Sequence, residues 1–157
     1  MVVKKMILRG IDNQSVELKL VSYEFPNNEG GDYDSNWLNV FLKVDSKDGK
    51  WQTVNPSLLT WEVMALINWF SDLSENREVK HTLMEFLEPN LSFELINECD
   101  SEIKSIRILF DLEARPRSAT DDKEYFVDCK LDKNDLRQIA IELSKELEKY
   151  PERCASS

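Results

Sequence analysis

A change of hydrophobic period near the middle of the chain constrains the fold more than any other feature. Leu38, Val40, Leu42 and Val44 alternate with Asn39, Phe41, Lys43 and Asp45. Successive side chains of a strand point to opposite faces, so this segment predicts a strand with one apolar face. Ser46-Lys47-Asp48-Gly49 has the chemistry of a hairpin turn, with Trp51 to Val54 returning. The period then lengthens. Leu59, Val63, Leu66, Ile67, Phe70 and Leu73 recur at helical spacing. Trp61, Ala65 and Trp69 widen that stripe, which predicts a helix buried on more than one side. Pro56 suits its first turn, with Asn55 or Ser57 as the cap, and Ser74-Glu75-Asn76 marks its end.

The flanking segments follow the same plan. Val16, Leu18 and Leu20 alternate with Glu17 and Lys19, and Tyr23 and Phe25 then fall on the opposite phase. That switch predicts a bulge near Val21-Ser22. The turn formers and acids from Pro26 to Asp34 read as a loop. In the second half, Leu83 to Leu87 and Leu91 to Leu95 read as strands. So do Ile106 to Leu112 and Tyr125 to Leu131. Asp132 then caps a closing helix with Leu136, Ile139, Ala140, Leu143 and Leu147 on one face, and Tyr150-Pro151 ends it. Short turns between strands imply antiparallel pairing, and helices placed after runs of strands imply an α+β fold. The expectation is a mainly antiparallel sheet of about seven to eight strands with two amphipathic helices, strands then helix in each half. The 157 residues suit one domain, expected over 1–153 with a short tail at 154–157.

Thirty acids against twenty bases give a net charge of −10. Direct binding to nucleic acid is therefore not expected, because that affinity rests on basic groups displacing counterions. A basic partner is easier to accommodate. The charge is also segregated. Residues 20–42 hold four acids, 51–76 three and 81–103 six, all without a lysine or arginine. Cys99, Cys129 and Cys154 are too few and too scattered for a disulfide framework, which suggests reduced thiols and a cytoplasmic protein. No signal peptide and no apolar run of membrane-spanning length is read in the sequence.

Residues with catalytic potential do not assemble into a motif. His81 lacks a neighbouring nucleophile or orienting acid in the sequence and reads as structural. Asp32-Tyr33-Asp34-Ser35-Asn36 begins like a calcium loop, but Trp37 stands where the sharp turn needs glycine and Lys43 where the bidentate glutamate should be. Gly30-Gly31 precedes no phosphate-binding helix. No metal, no cofactor and no enzymatic activity are expected.

Four strings are more specific. They are Ser22-Tyr23-Glu24-Phe25-Pro26, Asp32-Tyr33-Asp34-Ser35-Asn36-Trp37-Leu38, Ser57-Leu58-Leu59-Thr60-Trp61-Glu62, and Glu85 to Phe93, which reads Glu-Phe-Leu-Glu-Pro-Asn-Leu-Ser-Phe. In order and spacing they resemble the WapI family of immunity proteins, a likeness that runs from about Met6 to Arg153. The resemblance implies a bacterial cytoplasmic protein that binds and neutralises the C-terminal domain of a polymorphic toxin, in the founding case a nuclease acting on tRNA. A cognate toxin domain of this kind is expected to be basic, since its cleft holds a polyanion. Carboxylates can then mimic phosphate and speed association.

Three expectations follow for particular residues. Tyr23, Phe25, Trp37 and Trp61 form a structural motif, with Trp37 packing on Tyr23 or Phe25. The acidic windows converge on one toxin-binding face, with Glu29, Asp32, Asp34, Glu85 and Glu88 as its members. Leu38, Val40, Leu42 and Val44 share a core with Leu59, Val63, Ile67 and Phe70. Two other readings fit the same sequence: a protein-binding or self-associating module without a toxin partner, including a homodimer, and a hydrolase built on a carboxylate pair.

Overall fold

The computed structural model describes residues 6–28, 30, 34–120 and 122–154. Among them, two four-stranded antiparallel meanders each lead into one helix. The first comprises β1 (Met6–Arg9), β2 (Ser15–Tyr23), β3 (Trp37–Ser46) and β4 (Gly49–Leu59), followed by α1 (Thr60–Ser74). The second comprises β5 (Leu83–Met84), β6 (Leu91–Leu95), β7 (Lys104–Phe110) and β8 (Tyr125–Leu131), followed by α2 (Lys133–Leu147). In both sheets the spatial order of strands is their chain order. The α+β expectation with two helices and eight strands is met.

Each sheet has an apolar face because its alternation is in register across strands. Val16 lies opposite Val44, Leu18 opposite Leu42 and Leu20 opposite Val40. Phe93 lies opposite Ile108, which lies opposite Val127. The two inward faces and the apolar sides of α1 and α2 form one buried cluster, and the helices pack on each other. Leu38, Val40, Leu42, Val44, Val63, Ile67 and Phe70 all belong to it, and Leu59 is buried as well. Burying a side chain of this kind contributes roughly 1.5–3 kcal/mol, so the shared core is the main source of stability. Cys129 faces this core, and burial pushes its thiol up to about 12.

The halves are joined at specific points. Trp51 packs edge-on against Phe110 and Tyr125, with ring centroids 5.7 and 6.1 Å away, and its indole N–H donates to the Ala114 carbonyl at 2.9 Å. The β3–β4 turn reaches the second sheet through a 2.8 Å ion pair between Asp48 and Lys123. Gly10, just after β1, passes so close to β8 that a Cβ there would lie 2.6 Å from Val127 Cγ1.

The expected bulge falls between Leu20 and Ser22. Asp132 caps α2 as expected, its carboxylate accepting from the Asp135 amide at 2.8 Å. Four local readings are corrected. Pro56 does not open α1: it lies in β4 opposite Asn39, beside a register shift, and the helix starts at Thr60. Proline removes one ladder donor, which an edge strand at an irregular position tolerates. Ala65 is exposed together with Met64 and Asn68, so α1 keeps one face in solvent. The strand expected over Leu83 to Leu87 ends at Met84, because the Leu87 amide is taken by a side chain from α1. Leu112, expected to continue β7, instead starts a short helical turn at φ 47° with its side chain exposed.

Candidate protein-binding face

The four strings singled out in the sequence meet at the end of the molecule where α1 begins and α2 finishes. Tyr23 closes β2, donates its hydroxyl to the Pro151 carbonyl at 2.5 Å and packs edge-on against Tyr150 at 5.5 Å. Tyr150 in turn donates to the Val21 carbonyl at 2.6 Å. Asn36 is buried and joins three segments. Its Oδ1 accepts from Thr60 Oγ1 at 3.0 Å and from the Arg153 amide at 2.8 Å, while its Nδ2 donates to the Arg153 carbonyl at 2.9 Å. This use of Asn36 explains part of the calcium-like string without an ion. Among the described residues, no group of three or more His, Cys, Asp or Glu could hold a metal.

Arg153 and Glu62 fix the two loops on this face. The Arg153 guanidinium donates to the carbonyls of Phe25 at 3.0 Å, Pro26 at 3.0 Å and Asn28 at 2.7 Å. Glu62, in the first turn of α1, accepts from the Leu59 amide at 2.9 Å and the Leu87 amide at 2.8 Å. A carboxylate is well placed there, since the first helical turn carries partial positive charge. Asn90 donates to Ser57 Oγ at 3.1 Å, and its carbonyl accepts from the Asp111 amide at 2.9 Å. Hydrogen bonds to ionised groups contribute roughly 1.5–3 kcal/mol each, so these loops are held far more firmly than their sequence suggests.

The carboxylates of this face interact. Glu24 follows Tyr23, and its amide donates to the Trp37 carbonyl at 2.8 Å. Its carboxyl is pushed above the usual range, first by burial and then by the negative charges of Asp34 and Glu88. Two of the acids singled out in the sequence, from segments 54 residues apart, thus bear on one group that the sequence reading passed over. Glu85 is placed differently: it lines a recess with Pro89, Asp111, Arg115 and Lys123. Glu29 and Asp32 lie outside the described residues.

The sequence as a whole matches the family model of the immunity protein WapI-like family over residues 6–151. The chain belongs to this family. No curated protein matches it significantly. Within this WapI-like chain, the strings that carried the resemblance serve first to build one end of the fold. Trp61 is half-buried at the start of α1, and Phe25 is exposed on its loop. Tyr23 pairs with Leu38 and has Tyr150 and Arg153 as its ring partners, whereas Trp37, on the opposite phase and half-buried, pairs with Leu59. The residues that sequence reasoning missed are Glu24, Glu62 and Arg153. Glu62 carried a signal, an acid in a first helical turn. Arg153 carried none, because its partners lie more than a hundred residues away.

His81 is exposed, and its carbonyl accepts from the Trp69 indole at 2.8 Å, a structural contact. On the outer face of the second sheet, Arg107 meets Asp128 in a bidentate pair at 2.8 and 3.0 Å. No helix among the described residues is long and apolar enough to cross a membrane.

Proposed function

We propose that the protein is a cytoplasmic immunity protein that neutralises a cognate basic toxin domain by binding over its active site. Membership of the WapI-like immunity family carries this reading. The charge distribution supports it: Glu24, Asp34 and Glu88 concentrate negative charge on a face whose loops are already fixed. In the sequence Glu29 and Asp32 share an acidic segment with Asp34, and Glu85 lies three residues before Glu88; we count them with the same toxin-binding set. Carboxylates held this way would meet the lysines and arginines with which a nuclease grips phosphate. Steering between such surfaces raises association rates to as much as ~10⁸–10⁹ M⁻¹s⁻¹ at low salt. Inhibition of this kind needs tight binding and no turnover, so the protein acts as a partner rather than as an enzyme.

The test is the purified toxin domain encoded beside this gene. The wild-type protein should bind it and protect cells that express it. Replacing Glu24, Asp34 and Glu88 together with Gln, Asn and Gln should slow association and flatten its dependence on salt. Equal association rates across salt concentrations would make this acidic face a solubilising surface and move recognition elsewhere.

A further inference from the structure

We propose that Phe25 and Leu87 are the apolar anchors of this same face, set among Glu24, Asp34 and Glu88, for a basic protein partner with apolar recesses flanked by lysine or arginine. The inference rests on the immunity reading and names the residues that would hold the partner once it has arrived.

Phe25 is 44% exposed and Leu87 63% exposed, the latter the most exposed large apolar residue described. A folded chain gains nothing by presenting such side chains on loops, and water is the poorer solvent for both. Leu112 is also exposed and held by ionised side chains, but by its near neighbours Asp111 and Arg115; Phe25 and Leu87 are each held by an ionised side chain from a distant segment. The Phe25 carbonyl accepts from Arg153 at 3.0 Å, and the Leu87 amide donates to Glu62 at 2.8 Å. Each is fixed by an ionised side chain, Arg153 from the segment after α2 and Glu62 from the first turn of α1. The ordering of two loops that binding would otherwise require is complete before the partner arrives, which is how preorganisation raises affinity.

The two residues belong to one surface. Glu24, the chain neighbour of Phe25, senses the charge of Glu88, the neighbour of Leu87. Arg153 and Glu62 are linked through Asn36, Thr60 and Leu59, so the supports of both residues form one network. Arg153 is committed to three carbonyls and to the Tyr23 ring. Its charge is therefore spent within the face, which presents carboxylates and apolar side chains. Interfaces of this composition place a few apolar anchors at the centre, where most of the energy lies, and charge at the rim, where it sets the encounter rate. The partner that fits is cationic with apolar pockets; a nucleic acid is excluded by the sign of the charge.

The experiment measures binding of the neighbouring gene's toxin domain by Leu87→Ser, and by Leu87→Ser combined with Phe25→Ser. Melting temperature serves as the folding control; Leu87→Ser removes a largely exposed side chain and should leave it unchanged. The single variant should raise the dissociation rate about tenfold and the double variant further, with association within about twofold of wild type. Unchanged dissociation in Leu87→Ser, with wild type binding normally, would overturn the anchor role and leave the immunity reading standing. Failure of the wild type itself to bind would remove that reading and the anchors with it. A wild-type dimer broken by Leu87→Ser would reassign the face to self-association and overturn the proposal.

Discussion

Arg153 sits over the ring of Tyr23, its guanidinium carbon 3.5 Å from the ring centroid. Tyr23 closes the second strand and Arg153 lies near the end of the chain, so this contact fastens the last segment onto the first sheet. The same guanidinium takes three carbonyls of the loop that follows Tyr23. A planar fork of donors is needed for that arrangement, and a stacked cation adds to it.

Replacing Arg153 should therefore loosen two things at once. Arg153→Ala should lower stability by about 2–4 kcal/mol, a partial sum of charge-assisted bonds that solvent screens in part. Arg153→Lys should recover little, because an ammonium cannot stack on the ring and reach three carbonyls together. Denaturant titration reads the stability. Hydrogen exchange at Asn27 and Asn28 reads the loop, and protection equal to wild type there would show that the loop holds its own shape.

A second prediction concerns the seam between the sheets. Gly10 has an ordinary φ of −87°, so its backbone does not require glycine. Space does: the added carbon of Gly10→Ala would meet Val127 Cγ1 at 2.6 Å, the Asp128 carbonyl at 3.1 Å and Gln14 Cβ at 3.1 Å. Val127 is buried in the core and has little room to retreat. Overpacking of this kind costs roughly 1–3 kcal/mol. A melting temperature equal to wild type would mean that β1 and β8 can separate without loss.

The contrast between Gly10 and the strands shows where the sequence is readable. The inward residues of β3, β7 and β8 and the stripe of α2 follow periods of two and 3.6, because burial of one face imposes the period directly. Antiparallel pairing follows from turns such as Ser46 to Gly49, and the Asp132 cap from local hydrogen bonding; the strand order does not, because long connections separate β2 from β3 and β7 from β8. β1 escapes because only Met6 and Leu8 are buried in a strand of four residues, too short for a period to show. Pro56 misleads because its preference for a first helical turn competes with its tolerance of an irregular strand edge, and the pairing with β3 decides. At the binding face, the strings themselves were visible, but the hydrogen bonds of Asn36 and Arg153 join residues 117 to 128 positions apart. Nothing local specifies such contacts. The acids could be counted from the sequence, whereas which of them share a face depends on how β2, α1 and the loop before β6 come together.

The last prediction turns on Glu24. Burial and the charges of Asp34 and Glu88 raise its carboxyl above the ordinary value of 4.5, so the folded state holds that proton more tightly than the unfolded chain does. The stability this contributes is fully present below pH 4.5 and is lost as the pH rises through the folded value. At neutral pH the folded protein therefore carries an ionised Glu24 that it tolerates rather than favours. Glu24→Gln keeps the shape and removes the titration. Compared at acid pH, where Glu24 is protonated in both states, variant and wild type should be equally stable. As the pH rises to 7 the variant should become the more stable of the two, and the difference should then level off. The same substitution should slow association with the toxin domain, because it removes one charge from the steering face. Stability would thus be given up where binding needs charge, a trade seen wherever function holds groups in unfavourable surroundings. Unfolding curves for both proteins from pH 4 to 8 decide it: parallel pH profiles would show that Glu24 is well solvated and that Asp34 and Glu88 do not bear on it.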